Sequence, residues 1–231
     1  MSETQAQARL ATFSAMRGFG PAGIAAMLVI LLAGNFTTGN MVVFPAGGLL
    51  VLAWAWLSGT PWSAIGYVRP NRWLATVAGG IALGIALKIA MKALVMPLFG
   101  ANPVNPVYHF LAGNRSMLPP AVWAMLVAGF GEETVFRGYL FERGGRLFGG
   151  SKASRALIVV ATAALFGLAH YPDQGLAGAE QGAVVGLIFG SIFAVTGRIF
   201  FLMFAHSAFD LTALAMIYWN LEARVAHWVF K

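Results

Sequence analysis

Cysteine is absent from the chain, which rules out disulfides, a thiol nucleophile and any thiolate metal site. Charge is also scarce: 10% of residues are Asp, Glu, Lys or Arg, against roughly 25% in an average soluble domain. That shortage excludes an ordinary water-soluble globule. No HExxH sequence occurs, so the two-histidine helix of many zinc proteases is missing. There is no internal repeat and no low-complexity tract. No convincing small-residue cleavage pattern lies between the first apolar run and the next segment, so that run is read as a retained first span. The net charge of +7 would suit nucleic acid, but the 15 basic residues are scattered among apolar runs. They form no stripe or stacking platform, and no nucleic-acid partner is expected.

What the chain does have is apolar surface: 59% of its 231 residues are hydrophobic, and it carries 28 glycines and 18 phenylalanines. Seven runs approach the ~20 residues needed to cross a bilayer: 18–35, 41–58, 74–98, 119–140, 155–171, 180–197 and 199–219. The expected fold class is all-α, a polytopic transmembrane helix bundle of about seven spans (roughly six to eight). Residues 1–17 are expected as a cytoplasmic segment, 18–219 as a single transmembrane domain and 220–231 as an interfacial tail. Orientation follows from the basic residues. With the amino terminus inside, the cytoplasmic side receives Arg9, Arg17, Arg69, Arg72, Arg143, Arg146, Lys152, Arg155 and Arg198. The opposite connections receive only Arg115, with Arg224 and Lys231 after the last span. The protein is thus expected to be integral to the membrane and multi-pass, in the cytoplasmic membrane if its source is prokaryotic.

Between the runs, Asn35 to Asn40 allows only a hairpin, and Gly59 to Arg72 mixes Trp, Tyr, Arg and Pro in a way that suits the headgroup layer. Gly80, Gly84, Lys88 and Lys92 share one face at four-residue spacing. The glycines permit close helix contact; the lysines can serve the site, but so near the end of a span they are expected to snorkel to the interface. Ala101 to Pro120 is a loop with one short turn, and Phe141 to Lys152 a basic cytoplasmic connection. Gly182, Gly186 and Gly190 form a small-residue seam against a neighbouring helix. His227 is expected at headgroup level.

Against this apolar background a few polar residues inside the runs stand out, because ionisable groups in membrane spans are costly and usually functional. Glu132, Glu133 and Arg137 lie in the fourth run, His170 in the fifth, and His206 and Asp210 in the last. Glu133 and Arg137, four apart, can pair on one face. Glu132 points about 100° away and is free for other work. At 1.5 Å per residue, Glu132 and His206 fall at similar depths, while His170 sits some 20 Å from the start of its run, so its helix must start late or tilt to join them. Phe166 would shield the His170 ring. A carboxylate to take a proton from water, an imidazole to assist, and a second imidazole with a carboxyl at a developing oxyanion make a peptide-hydrolysing set. The same residues offer a second possibility, a divalent metal such as zinc held by His170, His206 and Glu132 or Glu133. Residue types alone leave both open. Ser207 lacks the context of a serine nucleophile.

The stretch Glu132-Glu133-Thr134-Val135-Phe136-Arg137-Gly138 resembles the EExxxR motif of the type II CAAX prenyl endopeptidases, the CPBP or Abi family of intramembrane proteases. Phe166 to His170 resembles its FxxxH motif and His206 to Asp210 its HxxxN/D motif, in family order. Ile65 to Pro70 is similar to a segment seen in many members. The resemblance implies that Glu132 activates water with help from His170, that His206 and residue 210 form the oxyanion site, and that Glu133 and Arg137 brace the fourth helix. It implies a glutamate-dependent protease whose metal requirement is disputed. Asp210 stands where prenyl-processing members typically have Asn, and an ionised carboxyl there would repel an oxyanion, an objection that weakens if His206 is charged. The expected function is therefore an intramembrane endopeptidase acting on a membrane-associated protein or peptide, with lipidated CAAX substrates one option. The alternative is a non-catalytic scaffold or bacteriocin-immunity protein binding a partner through the same cavity. Proton-coupled transport is a third reading. The sequence does not reveal the oligomeric state.

Overall fold

A computed structural model describes residues 13–35 and 46–230. The expected hairpin at 36–40, the first five residues of the second run and most of the amino-terminal segment lie outside the described residues. Helix is the only regular structure among the described residues. Helix α1 spans Pro21–Asn35 and α2 spans Ala46–Ser58, followed by a 3₁₀ turn at Trp62–Ile65. Helix α3 runs over Trp73–Leu98 with a π-turn at Met91–Val95. A 3₁₀ turn at His109–Leu111 interrupts the next loop, as the sequence suggested. Helix α4 covers Leu118–Glu133, passes through a π-turn at Thr134–Tyr139 and continues as α5 over Leu140–Phe148. Helix α6 covers Lys152–Thr196, α7 Phe200–Tyr218 and the short α8 Glu222–Ala226.

Three helices among the described residues, α3, α6 and α7, are long and apolar enough to cross a membrane; α1 and α2 are apolar but shorter. The fourth expected run is longer than its apolar stretch implied, because α5 carries helix through the residues expected as a basic connection. The fifth and sixth runs join into α6, which is broken at one residue, Gly175, with φ 63° and ψ −160°. Only glycine adopts that backbone readily. The two halves then fold onto each other. A Cβ on Gly182 would meet Gly167 and His170, one on Gly186 would meet Ala163, and one on Gly190 would meet Val159. Those pairings descend on one side as they rise on the other, so the halves are antiparallel. The glycine seam expected from sequence is the contact between them.

Helices α3 and α7 make the closest long contact. A Cβ on Gly80 would lie 2.7 Å from the Phe201 carbonyl oxygen, and one on Gly84 would strike the Ala205 carbonyl oxygen and the Phe209 amide. The pairing advances in the same direction along both helices, so they run parallel. The core between these layers holds Trp54, Tyr139, Phe166, Phe189, Leu202 and Met203. Outside, Leu32, Trp56, Leu74, Trp123, Val160 and Val195 are each more than half exposed. Apolar surface of that extent suits lipid rather than water.

Two expectations are corrected here. The segment Gly59 to Arg72 does not simply skim the surface: Ile65 is fully buried, the Gly66 carbonyl accepts from the Ile199 amide at 3.0 Å, and the Tyr67 hydroxyl bonds Thr134 Oγ1 at 2.8 Å. The lysines of α3 do not snorkel. Lys92 pairs with Glu222 at 3.0 Å, and Lys88 is buried, donating to Gln181 Oε1 at 2.9 Å. Opposite charges and amide oxygens supplied by other helices hold them in place. His227 is exposed, with Nδ1 donating to the Ala223 carbonyl.

Candidate active site

The EExxxR segment sits where α4 gives way to its π-turn, a local widening that recurs at functional sites. Glycine at 129 lets α7 approach α4, since a Cβ there would lie 2.6 Å from the Ser207 amide. Ser207 itself donates to the Leu126 carbonyl at 3.3 Å and is thereby committed to helix contact. One residue before it, His206 is delivered to the two glutamates.

Glu133 is fully buried and Arg137 1% exposed. Glu133 Oε1 accepts from Arg137 Nη1 and from His206 Nδ1, both at 2.8 Å. Arg137 also reaches the Gly186 carbonyl at 3.5 Å and lies 4.7 and 5.6 Å from the Phe166 and Phe189 ring centres. Aromatic faces on a guanidinium add attraction where water is excluded. Because a carboxylate can only accept, His206 Nδ1 carries a proton, and Nε2 is the nitrogen that faces the remaining acids. It lies 3.6 Å from Glu132 Oε2 and 3.6 Å from Asp210 Oδ2, close enough for charge attraction but long for a hydrogen bond. Phe166 and Phe189 flank the ring at 5.7 and 5.8 Å.

Glu132 Oε2 is buried and makes no hydrogen bond among the described residues. Burying an unpaired carboxylate oxygen is expensive, and such cost is tolerated at sites that do chemistry.

His170 reaches the group indirectly. Its Nδ1 donates to the Phe166 carbonyl at 2.8 Å, which leaves Nε2 as the nitrogen not bound to that carbonyl. Its ring packs on Phe166 at 4.6 Å, and the same phenyl ring lies 5.7 Å from His206. Among the described residues no three His, Asp or Glu side chains are arranged to hold a metal ion. The donor set does not fit one as it stands: Glu133 Oε1 is bonded to Arg137 and His206, and His170 Nδ1 to the Phe166 carbonyl.

Several participants have no clear sequence signal. Phe189 and Gln181 look like ordinary core residues of α6. Tyr108 lies in the loop before α4; burial pushes its hydroxyl up to about 12, reinforced by Asp173, Asp210 and Glu132. It therefore lies within electrostatic reach of the site. Tyr67 is likewise raised by burial, opposed by its bond to Thr134. On the far side of α4 an apolar groove of about 380 Å³ is lined by Leu49, Leu52, Tyr67, Trp123, Leu126 and Phe130, among others.

Residues 114–212 match the family model described as Type II CAAX prenyl endopeptidase Rce1-like. The matched segment contains Glu132, Glu133, Arg137, Phe166, His170, His206 and Asp210, and it bears out the resemblance carried by the three motifs. No curated protein and no solved structure matches the chain.

Proposed function

We propose that this chain is an intramembrane endopeptidase that hydrolyses a peptide bond of a membrane-associated protein or peptide with water activated by Glu132. The observation that carries the reading is the unbonded, buried Glu132 oxygen facing His206 inside a segment that matches a protease family. Glu132 takes a proton from water as the oxygen attacks the scissile carbonyl carbon. His206, with a proton on Nε2, stabilises the resulting oxyanion, and Glu133 fixes the ring through Nδ1. The C–N bond then breaks, and the proton held by Glu132 passes to the leaving amine. His170 offers Nε2 as an auxiliary acceptor toward water. No covalent intermediate forms, and every proton transfer is assigned to a side chain of this chain.

The reading includes seven spans with residues 18–219 as one catalytic unit, an inside amino terminus, and substrates drawn from lipid-associated chains, prenylated CAAX ends among them. The groove beside α4 suits the apolar part of such a chain. The test compares membrane peptides in cells bearing wild type or Glu132→Gln, followed by the purified proteins on the peptides that differ. Glu132→Gln should be inserted normally and cleave nothing. Processing by that variant at the wild-type level would reject the assignment and favour a scaffold.

A further inference from the structure

We propose that Lys88 is a positioning residue of this site, the counter-charge on α3 that balances Asp210 on α7. The inference deepens the hydrolase reading, in which Asp210 stands beside the oxyanion, but the electrostatic pairing it names has its own test.

Placement comes from helix packing. Gly80 lies against Phe201 and Phe204, and Gly84 against Ala205, Ala208 and Phe209. One further turn along these parallel helices brings Lys88 to the level of residues 209–212. The side chain bears this out, with Nζ 4.7 Å from the centre of the Phe209 ring, the neighbour of Asp210. The ammonium is buried, at 8% exposure of the residue, and its hydrogen-bond partner, Gln181, is neutral. A buried ammonium without a compensating negative charge is strongly unfavourable. Lys92, the other lysine of α3, is already matched by Glu222 at 3.0 Å. For Lys88 the carboxylate that weighs most is Asp210, ahead of Glu222.

The same conclusion follows from the site side. Glu132, Glu133 and Asp210 bring three negative charges around His206. Arg137 offsets one, and His206 offsets a second even if it is counted as an imidazolium. One negative charge remains, next to the place where an oxyanion must form. Among the groups that act on Asp210 are His206, Glu132 and Lys88, and of these Lys88 is the amine that no carboxylate bonds directly. With Lys88 the cluster closes to neutrality. Without it, Asp210 repels the oxyanion that His206 is placed to receive.

The test uses the purified full-length chain in detergent in four forms: wild type, Lys88→Met, Asp210→Asn and the double variant. Methionine keeps the length and apolar contact of lysine and removes the charge. Lys88→Met should lower the melting temperature by about 4 °C or more when Asp210 is present, and by no more than about half that in the Asp210→Asn background. In the cleavage assay the same change should reduce turnover about tenfold when Asp210 is present and no more than about twofold in the Asp210→Asn background, whereas Lys88→Arg should retain most of both properties. Equal effects of Lys88→Met in the two backgrounds would overturn the pairing and leave Lys88 as a packing residue on Phe209 and Gln181. If Lys88→Met does not fold, recovery of folded protein in the double variant supports the proposal and its failure to recover overturns it. Coupled melting temperatures without any cleavage by wild type would reject the hydrolase reading and keep the pairing.

Discussion

Glu132 and Glu133 are neighbours in sequence, yet the bonds around them differ enough to set opposite expectations for the same substitution. Glu133 is bonded to Arg137 and His206, so Glu133→Ala leaves a buried guanidinium unmatched. Breaking such a pair costs about 3–5 kcal/mol, and the variant should be recovered in poor yield with a markedly lower melting temperature. Glu132 Oε2 makes no hydrogen bond and only the longer 3.6 Å approach to His206; Glu132→Gln should melt close to wild type while turnover falls about 100-fold or more. Extended treatment with a strong chelator should leave turnover unchanged, because the donors are not gathered as a metal would need. At this scale much was legible. The four-residue spacing of Glu133 and Arg137 predicted their pair, and the motif order pointed to His206. Two things were hidden: that Nδ1 of His206 is held by Glu133 rather than Glu132, and that His170 meets the group through Phe166. Both depend on how helices rotate against each other, which spacing within one run does not encode.

Helices come together here by means of glycine, and the contacts differ enough to give opposite outcomes for one kind of change. Gly84→Ala would push a methyl group into α7 backbone, where nothing flexible can yield; loss of folded protein is expected, read as a fall in the monodisperse fraction after extraction. Gly145, in the interior of α5, has open space around its would-be Cβ, and Gly145→Ala should raise stability by about 0.5–1 kcal/mol. The glycine periodicities of α3 and of the second half of α6 were visible as faces for close contact. Their partners were not, whereas the interruption expected between residues 171 and 180 is the break at Gly175 that turns α6 back on itself. The π-turn at Thr134–Tyr139 has no sequence mark at all, since every residue in it would also fit an ordinary helix. The loop ahead of α4 gives a pH expectation. Tyr108 has its proton affinity raised from 10.0 to about 12 by burial, so the folded form retains that proton where the unfolded chain loses it. Stability should be unaffected by this group below about pH 10 and fall between about 10 and 12, and Tyr108→Phe should lessen that fall in an alkaline melting series.

For the molecule as a whole, the scarcity of charge and the length of the apolar runs pointed correctly to a helical fold, with three helices among the described residues long and apolar enough to cross a membrane. The proposed orientation can be checked with little engineering because the chain contains no cysteine. A single cysteine at Ala153 should react with a membrane-impermeant thiol reagent only from the inside, and one at Ser116 only from the outside; labelling of both from one face would remove the proposed topology. The tail beyond α7 resembles, in sequence, an appendage at the interface, but Glu222 reaches back to Lys92 and to the Asn105 amide. Those partners are separated by 130 and 117 positions along the chain. During synthesis, therefore, the foot of α3 and the loop after it emerge from the ribosome long before the carboxylate that fastens them exists. That corner of the molecule has to wait, and it is completed only once the segment carrying Glu222 has been made.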